Sequence, residues 1–364
     1  MSKTKQRKEK HLSICINPHE YAVEHGDPGF THVRFVHQAL PEIDANEVDT
    51  SLDFLGVRIS APIFISCMTG GSDEGFRANK NLAIAAEEAA VPVGMGSIRV
   101  LFEHDEVFDH FHLRRFAPSV PILANIGGVQ LRDLPHARLI EIVKRLEADA
   151  LVVHLNPGQE LFQHDGDRDF RGVRDAIGRF CELAPVPVIV KETGFGVTPD
   201  LIPELISLGV AYIDVAGSGG TNWISVESFR DNEALEVAGR EFTEWGIPTA
   251  LLLASVRKLY DHRYDNNLIA SGGLRSGQEF AKAVALGATL AGAALPFIRA
   301  EVSSGVEGVV ELLESTVDTI RRIMILTGSN TVGELRSAPL YFDASLAGEL
   351  ASFTASIDQT LQTQ

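Results

Sequence analysis

The segment DALVVHLNPGQE, residues 149–160, runs from a short apolar stretch into an imidazole, two carboxamides and a carboxylate: His154, Asn156, Gln159 and Glu160. Its first half has the length and aliphatic content of a buried strand, and Asn156–Pro157 ends it. Seven other runs share this form: PIFISCM (62–68), VPVGMG (91–96), PILANIG (121–127), VPVIVKE (186–192), AYIDVAG (211–217), NLIASGG (267–273) and TLAGAALP (289–296). Longer helix-like stretches separate them. Strand and helix in alternation make βαβ units, and eight such units predict an α/β fold, a (β/α)8 TIM barrel.

The connecting stretches agree. Ser276 with Glu279 three residues on has capping-box spacing, Phe280 and Val284 share a helical face, and Gly287 supplies a stop. GIPTALLLASVRKLY (246–260) is apolar enough for a strand, but its length, its Leu and Ala content and Pro248 near its start predict a helix. A doubly wound open sheet would want a Gly-x-Gly-x-x-Gly fingerprint at the first βα turn. MTGGSDEG does not fit it, and TGFGVTPD and AGSGGTN come late. The expected organisation is one domain: an N-terminal extension (1–60) with a basic tail, the barrel (61–300), and C-terminal helices with a polar tail (301–364).

A net charge of −17 over 364 residues argues against nucleic acid and anionic membranes as partners. Three widely spaced cysteines suggest reduced thiols, not a disulfide framework. MSKTKQRKEKH lacks the apolar core of a signal peptide, and no apolar run approaches a transmembrane length, so a cytoplasmic protein is expected. The basic stretch KTKQRKEKH ordinarily reads as a solvated tail, yet it is the one concentrated source of cations. FEHDEVFDHFH (102–112) reads as a solvated helix without metal-ligand spacing.

In such a barrel the chemistry sits at the C-terminal strand ends. Those ends carry Met68-Thr69-Gly70-Gly71, Ser97 and Arg99, Asn125, the His154–Glu160 cluster, Lys191-Glu192, GSGGTNW (217–223), SGGLR (271–275) and Gly292-Ala293-Ala294. Gly272-Gly273 and Ala293-Ala294 let backbone N–H groups approach a phosphate after the seventh and eighth strands. Thr69, Ser97, Asn125 and Thr221 have the reach to hydrogen-bond a flat polar heterocycle. Lys191 closes an apolar run, so its half-buried ammonium needs a negative partner, either a ligand anion or another barrel carboxylate. Glu192 points the other way along the strand.

RKEKH, MTGG, GS-R, HLN--QE, KE-G-G, GSGGTNW and SGGLR occur here in the order found in type 2 isopentenyl-diphosphate delta-isomerases, and from about residue 7 to 340 the sequence resembles that family. The resemblance implies an isomerase of isoprenoid biosynthesis that uses FMN, Mg²⁺ and NAD(P)H as flavin reductant and interconverts isopentenyl and dimethylallyl diphosphate. It implies FMN contacts at Met68, Thr69, Gly70, Ser97, Asn125, Lys191, Thr221, Gly272, Gly273, Arg275, Ala293 and Ala294. Arg7, Lys8, His11, Ser97, Arg99, His154, Asn156 and Gln159 would face the diphosphate substrate, and Glu160 would hold Mg²⁺. Catalytic roles would fall to Gln159, His154, Lys191, Trp223 and Glu227. Gln159 and Glu227 both remain open for the second proton transfer. A homo-oligomer, tetramer or octamer, is expected with the family.

One position departs from the family pattern. The usual Ser-Gln-Arg is here Ser97-Ile98-Arg99, so either a carboxamide contact is lost or Ile98 adds apolar surface beside the prenyl tail. Two other readings stand beside the isomerase. An FMN-dependent 2-hydroxy-acid oxidase would need a base near the seventh strand, where His262 and Arg263 lie upstream, at its wrong end. A non-catalytic binder of flavin or prenyl diphosphate would have no need of Glu160 or Glu227.

Overall fold

The computed structural model describes residues 3–68, 70–231 and 233–363, with side chains except at 3–8, 231, 233, 234, 236 and 360–363. Eight parallel strands close into a barrel: β1 (Ile63–Ile65), β2 (Val93–Gly94), β3 (Ile122–Gly127), β4 (Ala150–Leu155), β5 (Val188–Glu192), β6 (Tyr212–Asp214), β7 (Leu268–Ala270) and β8 (Leu290–Ala293). Each lies inside one of the eight apolar runs, and β8 pairs back onto β1 through Gly292↔Phe64.

The period of two along each strand sorts its residues. Leu151, Val153, Val188, Val190 and Ile213 join the main core between barrel and helices. Phe64, Leu123, Ala150, Val152, Ile189, Ile269 and Leu290 fill the barrel interior. A hairpin, Leu52–Phe54 with Val57–Ile59, adds Phe54 and Ile59 to that interior cluster, and the Phe54 and Tyr212 rings meet at 5.1 Å. Two residues further along the inner face the side chains turn polar: Leu123 gives way to Asn125, Val152 to His154, Ile189 to Lys191 and Tyr212 to Asp214. Register places Gly127 beside His154, His154 beside Lys191, and Lys191 beside Asp214, so these polar groups share one rung at the barrel mouth.

The helical readings hold in detail. Residues Thr249–Tyr260 form a helix with Pro248 at its N-cap. Ser276 and Glu279 make both arms of the capping box, and Gly287 follows with φ +109°. Four helices concern the site: α1 (Lys3–Ile16), α2 (Pro157–Phe162), α3 (Trp223–Asp231) and α4 (Leu295–Thr327), the last broken at Ser304–Gly305.

Three expectations are corrected. The basic N-terminus is not a solvated tail. It forms α1, whose C-terminal half buries Leu12, Ile14 and Cys15 and packs on α3 and α4. The polar C-terminal tail is also helical, Ala344–Thr363, because Leu346, Leu350, Thr354 and Ile357 recur at helical spacing on one buried face. Residues 102–112 do not form one solvated helix. They make 3₁₀ turns, including Asp105–His110, where the His110 ring stacks on Phe76 at 4.8 Å and Phe111 is buried. The two chain ends meet where Val33–Phe35 pairs antiparallel with Leu340–Phe342.

Candidate active site at the barrel mouth

Two cavities lie side by side over the polar rung. The first collects His11, Met68, Ser97, Arg99, Asn125, His154, Asn156, Gln159, Glu160, Lys191 and Trp223. The second collects Met68, Lys191, Thr221, Trp223, Gly272, Gly273, Arg275, Ala293 and Ala294. Met68, Lys191 and Trp223 line both, as do Cys67 and Thr193, so the two chambers share a wall.

The second chamber is walled largely by backbone. Gly272 and Gly273 have φ of +100° and +82°, and a Cβ on Gly273 would lie 2.6 Å from the Gly219 carbonyl oxygen. Helix α4 begins directly after Ala294, so its N-terminal N–H groups and partial positive charge open onto this chamber. Arg275 stands at the rim, with Nε donating to Glu24 Oε1 at 2.8 Å. Arg299 holds the other oxygen of Glu24. Burial would push the Glu24 carboxyl up, but the two guanidinium groups hold it below its usual range. Two arginines against one carboxylate leave local positive charge in a chain of net charge −17. Small residues, backbone donors, a helix N-terminus and a cation fit a phosphate group on a flat cofactor such as FMN.

In the first chamber the side chains orient one another. His154 Nδ1 bonds Asn125 Oδ1 at 2.6 Å. Asn156 Nδ2 donates to Gln159 Oε1 at 3.0 Å and to Glu160 Oε1 at 3.1 Å. The Asp167 N–H donates to Glu160 Oε2 at 2.9 Å. The Glu160 carboxylate is thus aimed while its remaining lone pairs stay available, which suits one protein ligand to a hard cation whose other ligands are water and substrate oxygen. Among the described residues no three His, Cys, Asp or Glu side chains group to hold a metal by themselves.

Lys191 Nζ donates to the Glu192 carbonyl at 2.6 Å, and among the described residues it makes no ion pair with a carboxylate. The Glu192 carboxylate turns away and takes the Gly194, Phe195 and Gly196 N–H groups at 2.5–3.1 Å, which shapes the loop that carries Thr193. Asp214, beside Lys191 in register, accepts from the Ser271 hydroxyl at 2.8 Å and the Ser271 N–H at 3.0 Å. Burial pushes Asp214 up, opposed by Lys191 and Ser271.

Glu227 lines neither chamber. Its side chain is fully buried, with Oε1 taking Gln159 Nε2 at 2.8 Å and His11 Nε2 at 2.9 Å, and Oε2 facing Arg230 at 2.7 Å. Burial alone would raise this carboxyl; His11, Arg230 and Gln159 together bring it below its ordinary range. His11 meets Trp223 edge-on at 5.5 Å. Helix α1 therefore closes one side of the first chamber.

Most of the residues expected at the site converge there, but not all. Ile98 is fully buried in the core and does not line the cavity, so it adds no apolar surface beside a prenyl tail; Val100 stands on that wall instead. Gly70 is not among the residues lining either chamber, and a Cβ there would meet the Phe111 ring. Thr69 and the side chains of Arg7 and Lys8 lie outside the described residues. His262 and Arg263 sit ahead of β7, where His262 pairs with Asp265. Sequence reading passed over Cys67, Thr193, Gln130 and Gln163, which line the cavities, and Asp214, which sits beneath them. Asp214 was within reach: two residues after Tyr212 in AYIDVAG puts it on the inner face. Gln130, on the short helix Gly128–Asp133, and Gln163, at the C-cap of α2, lie beyond the strand ends and carry no strand-end signal. Burial pushes the Cys67 thiol up to about 11, which leaves it neutral.

Comparison with known proteins agrees with this geometry. Residues 141–341 match the model of the FMN-dependent dehydrogenase family. Fold neighbours include a flavocytochrome b2 with benzoylformate (TM-score 0.67, 18% identity, 90% of this chain and 82% of that one) and a mandelate oxidase with (S)-mandelic acid (0.64, 18%, 93% and 98%). Fold and site thus define an FMN-type (β/α)8 barrel enzyme. Curated isopentenyl-diphosphate delta-isomerases are similar over nearly the whole length. The relative from Borrelia garinii subsp. bavariensis is 40% identical over 96% of each chain, that from Nostoc sp. 42% over 92% of this chain and 95% of its own, and that from Pyrococcus furiosus 39% over 94% and 87%. The chain belongs to the isopentenyl-diphosphate delta-isomerase family.

Proposed function

We propose that this enzyme interconverts isopentenyl diphosphate and dimethylallyl diphosphate for isoprenoid biosynthesis, with FMN in the second chamber and Mg²⁺ and the diphosphate in the first. The observation that carries the reading is the shared wall: Lys191 and Trp223 stand between a phosphate-type cradle and a chamber furnished with Arg99, His154, Asn156 and one oriented carboxylate.

When bound, reduced FMN supplies an electron-rich ring with an exchangeable proton at N5. Lys191 would lie against the ring and favour negative charge on it. Gly272, Gly273, Ala293 and Ala294, with Arg275, would hold its phosphate, and Met68, Ser97, Asn125 and Thr221 its polar edges. Glu160 would hold Mg²⁺, which neutralises the diphosphate. Arg99 offers a planar fork to the same anion, and Ser97, His154, Asn156 and Gln159 add hydrogen bonds. Arg7, Lys8 and His11 from α1 would complete the enclosure.

Binding energy at the diphosphate fixes the small alkene, which has little to hold by itself. A proton must be added at C4 and another removed from C2, with positive charge developing at C3. The Trp223 ring can face that charge. Gln159 is the group that reaches the chamber, and Glu227 stands behind it, so we assign the second proton transfer to water held by Gln159 with Glu227 as its charged support. NAD(P)H would be the flavin reductant, and a cytoplasmic homo-oligomer is the expected form. No helix among the described residues is long and apolar enough to cross a membrane. Proton NMR of isopentenyl diphosphate incubated with protein, FMN, Mg²⁺ and dithionite tests the reading: dimethylallyl methyl signals are expected, and an unchanged spectrum contradicts it.

A further inference from the structure

The loop that leaves β5 carries a hydroxyl that nothing in the chamber walls satisfies. Thr193 follows the strand directly and, like Lys191 two residues before it, lines both chambers. Its Oγ1 is buried and, among the described residues, has no hydrogen-bond partner. The backbone around it is held on two sides. The Glu192 carboxylate gathers the Gly194, Phe195 and Gly196 N–H groups. Gly194, with φ +128°, lies so close to Thr221 that a Cβ would sit 2.8 Å from the Thr221 carbonyl oxygen. The hydroxyl therefore stays at the wall between the chambers.

A buried hydroxyl left without a partner costs about 1–3 kcal/mol, so this one favours a ligand that completes it. The reacting end of a prenyl diphosphate offers it no polar atom. The diphosphate belongs with Arg99 and Glu160, which line the first chamber and not the second. The flavin ring does offer one: its pyrimidine edge carries carbonyl oxygens and nitrogens, and that edge gains negative charge on reduction. A hydroxyl donates more strongly to this charge than to the neutral oxidised edge. Lys191 serves the same wall. Its Nζ spends one of three N–H groups on the Glu192 carbonyl, which leaves two for the chambers.

We propose that Thr193 is a further flavin-binding residue: beside Lys191, its hydroxyl donates to the pyrimidine edge of the FMN ring and favours the reduced, negatively charged form. This rests on the assignment of the second chamber to FMN. The consequence is a bound flavin whose midpoint potential depends on one hydroxyl group, while its affinity in the oxidised form does not.

The test is the midpoint potential of FMN bound to the full-length chain, for wild type, Thr193→Val, Thr193→Ser and Lys191→Gln, with the affinity for oxidised FMN measured beside it. Valine keeps the shape of threonine and removes the hydroxyl; serine keeps the hydroxyl and removes the methyl. In Thr193→Val the preference for reduced over oxidised FMN is expected to fall about tenfold, a potential about 30 mV more negative for the two-electron couple. Oxidised FMN should bind as in wild type, and Thr193→Ser should return the potential close to the wild-type value. An unchanged potential in Thr193→Val overturns the proposal. If Lys191→Gln still moves the potential, the flavin assignment stands without Thr193; if neither variant moves it, that assignment falls as well. Equal shifts in the valine and serine variants, or loss of oxidised FMN from Thr193→Val, would mean that the residue acts through packing, which also overturns the proposal. So would weaker binding of saturated isopentyl diphosphate to Thr193→Val at an unchanged potential, since the hydroxyl would then serve the substrate.

Discussion

Gln159 Nε2 donates to Glu227 Oε1 at 2.8 Å, so a carboxylate that touches neither chamber directs a carboxamide that lines one. The same oxygen takes His11 Nε2 from α1, and the second oxygen faces Arg230. Glu227 thus ties the N-terminal helix to the barrel and sets the direction in which Gln159 presents its remaining polarity.

Replacing Glu227 with Gln keeps the volume but removes the charge that three donors share. We expect kcat to fall about 100-fold, with a smaller change in KM, because the diphosphate contacts remain. The carboxyl is held below its ordinary 4.5, so the contact between α1 and α3 is at full strength above about pH 4.5 and is lost as pH falls through the lower folded value. Proteolytic release of α1 between pH 6 and 3 measures it. Wild type should loosen at the acid end, while Glu227→Gln should show a flatter profile.

Glu160→Gln should raise the Mg²⁺ concentration needed for half-maximal activity by about 10-fold or more and leave FMN affinity unchanged. It removes the charged ligand, and its single amide oxygen can accept from only one of the two donors, Asn156 Nδ2 and the Asp167 N–H, that the carboxylate takes. An unaltered Mg²⁺ titration would place the metal elsewhere.

Gly273→Ala should yield protein with the barrel intact and FMN content sharply reduced. The new Cβ meets the Gly219 carbonyl at 2.6 Å in a backbone conformation of φ +82° that alanine adopts at a cost of about 1–2 kcal/mol. Flavin absorbance per chain reads the result, and full FMN occupancy would remove this loop from the cofactor site.

Arg7→Ala with Lys8→Ala should raise KM for the diphosphate by about two decades or more, since each charge-assisted hydrogen bond contributes about 1.5–3 kcal/mol, or about one to two decades. Barrel stability should hold, because α1 is anchored through Leu12, Ile14 and Cys15, further along the helix. Wild-type kinetics in the double variant would leave these cations as a solvated basic face.

The barrel was legible because its strands obey two simple periods. Alternation places Val152 inward and Val153 outward, and the same alternation carries His154 and Lys191 to the mouth. The partners from other parts of the chain were not legible. Nothing local to Glu227 says that its acceptors meet Gln159, 68 residues away, or His11 on α1. The helical state of α1 was hidden for a similar reason: its charged half argues for solvent, and only packing of Leu12 and Ile14 against α3 and α4 overrides that. Ile98 misled because its neighbours Ser97 and Arg99 both face the cavity, while the 3₁₀ turn sends the residue between them into the core.

The central claim is an isomerisation that needs reduced flavin yet consumes no reductant. Anaerobic turnover after a single measured reduction of the bound FMN tests it most directly, with product and remaining NADPH counted together. Reduced enzyme is expected to complete many turnovers per flavin with no stoichiometric loss of NADPH, and oxidised enzyme to be nearly inactive. Full activity with oxidised FMN, or one NADPH spent per product, would contradict the account even with the barrel and both chambers as described.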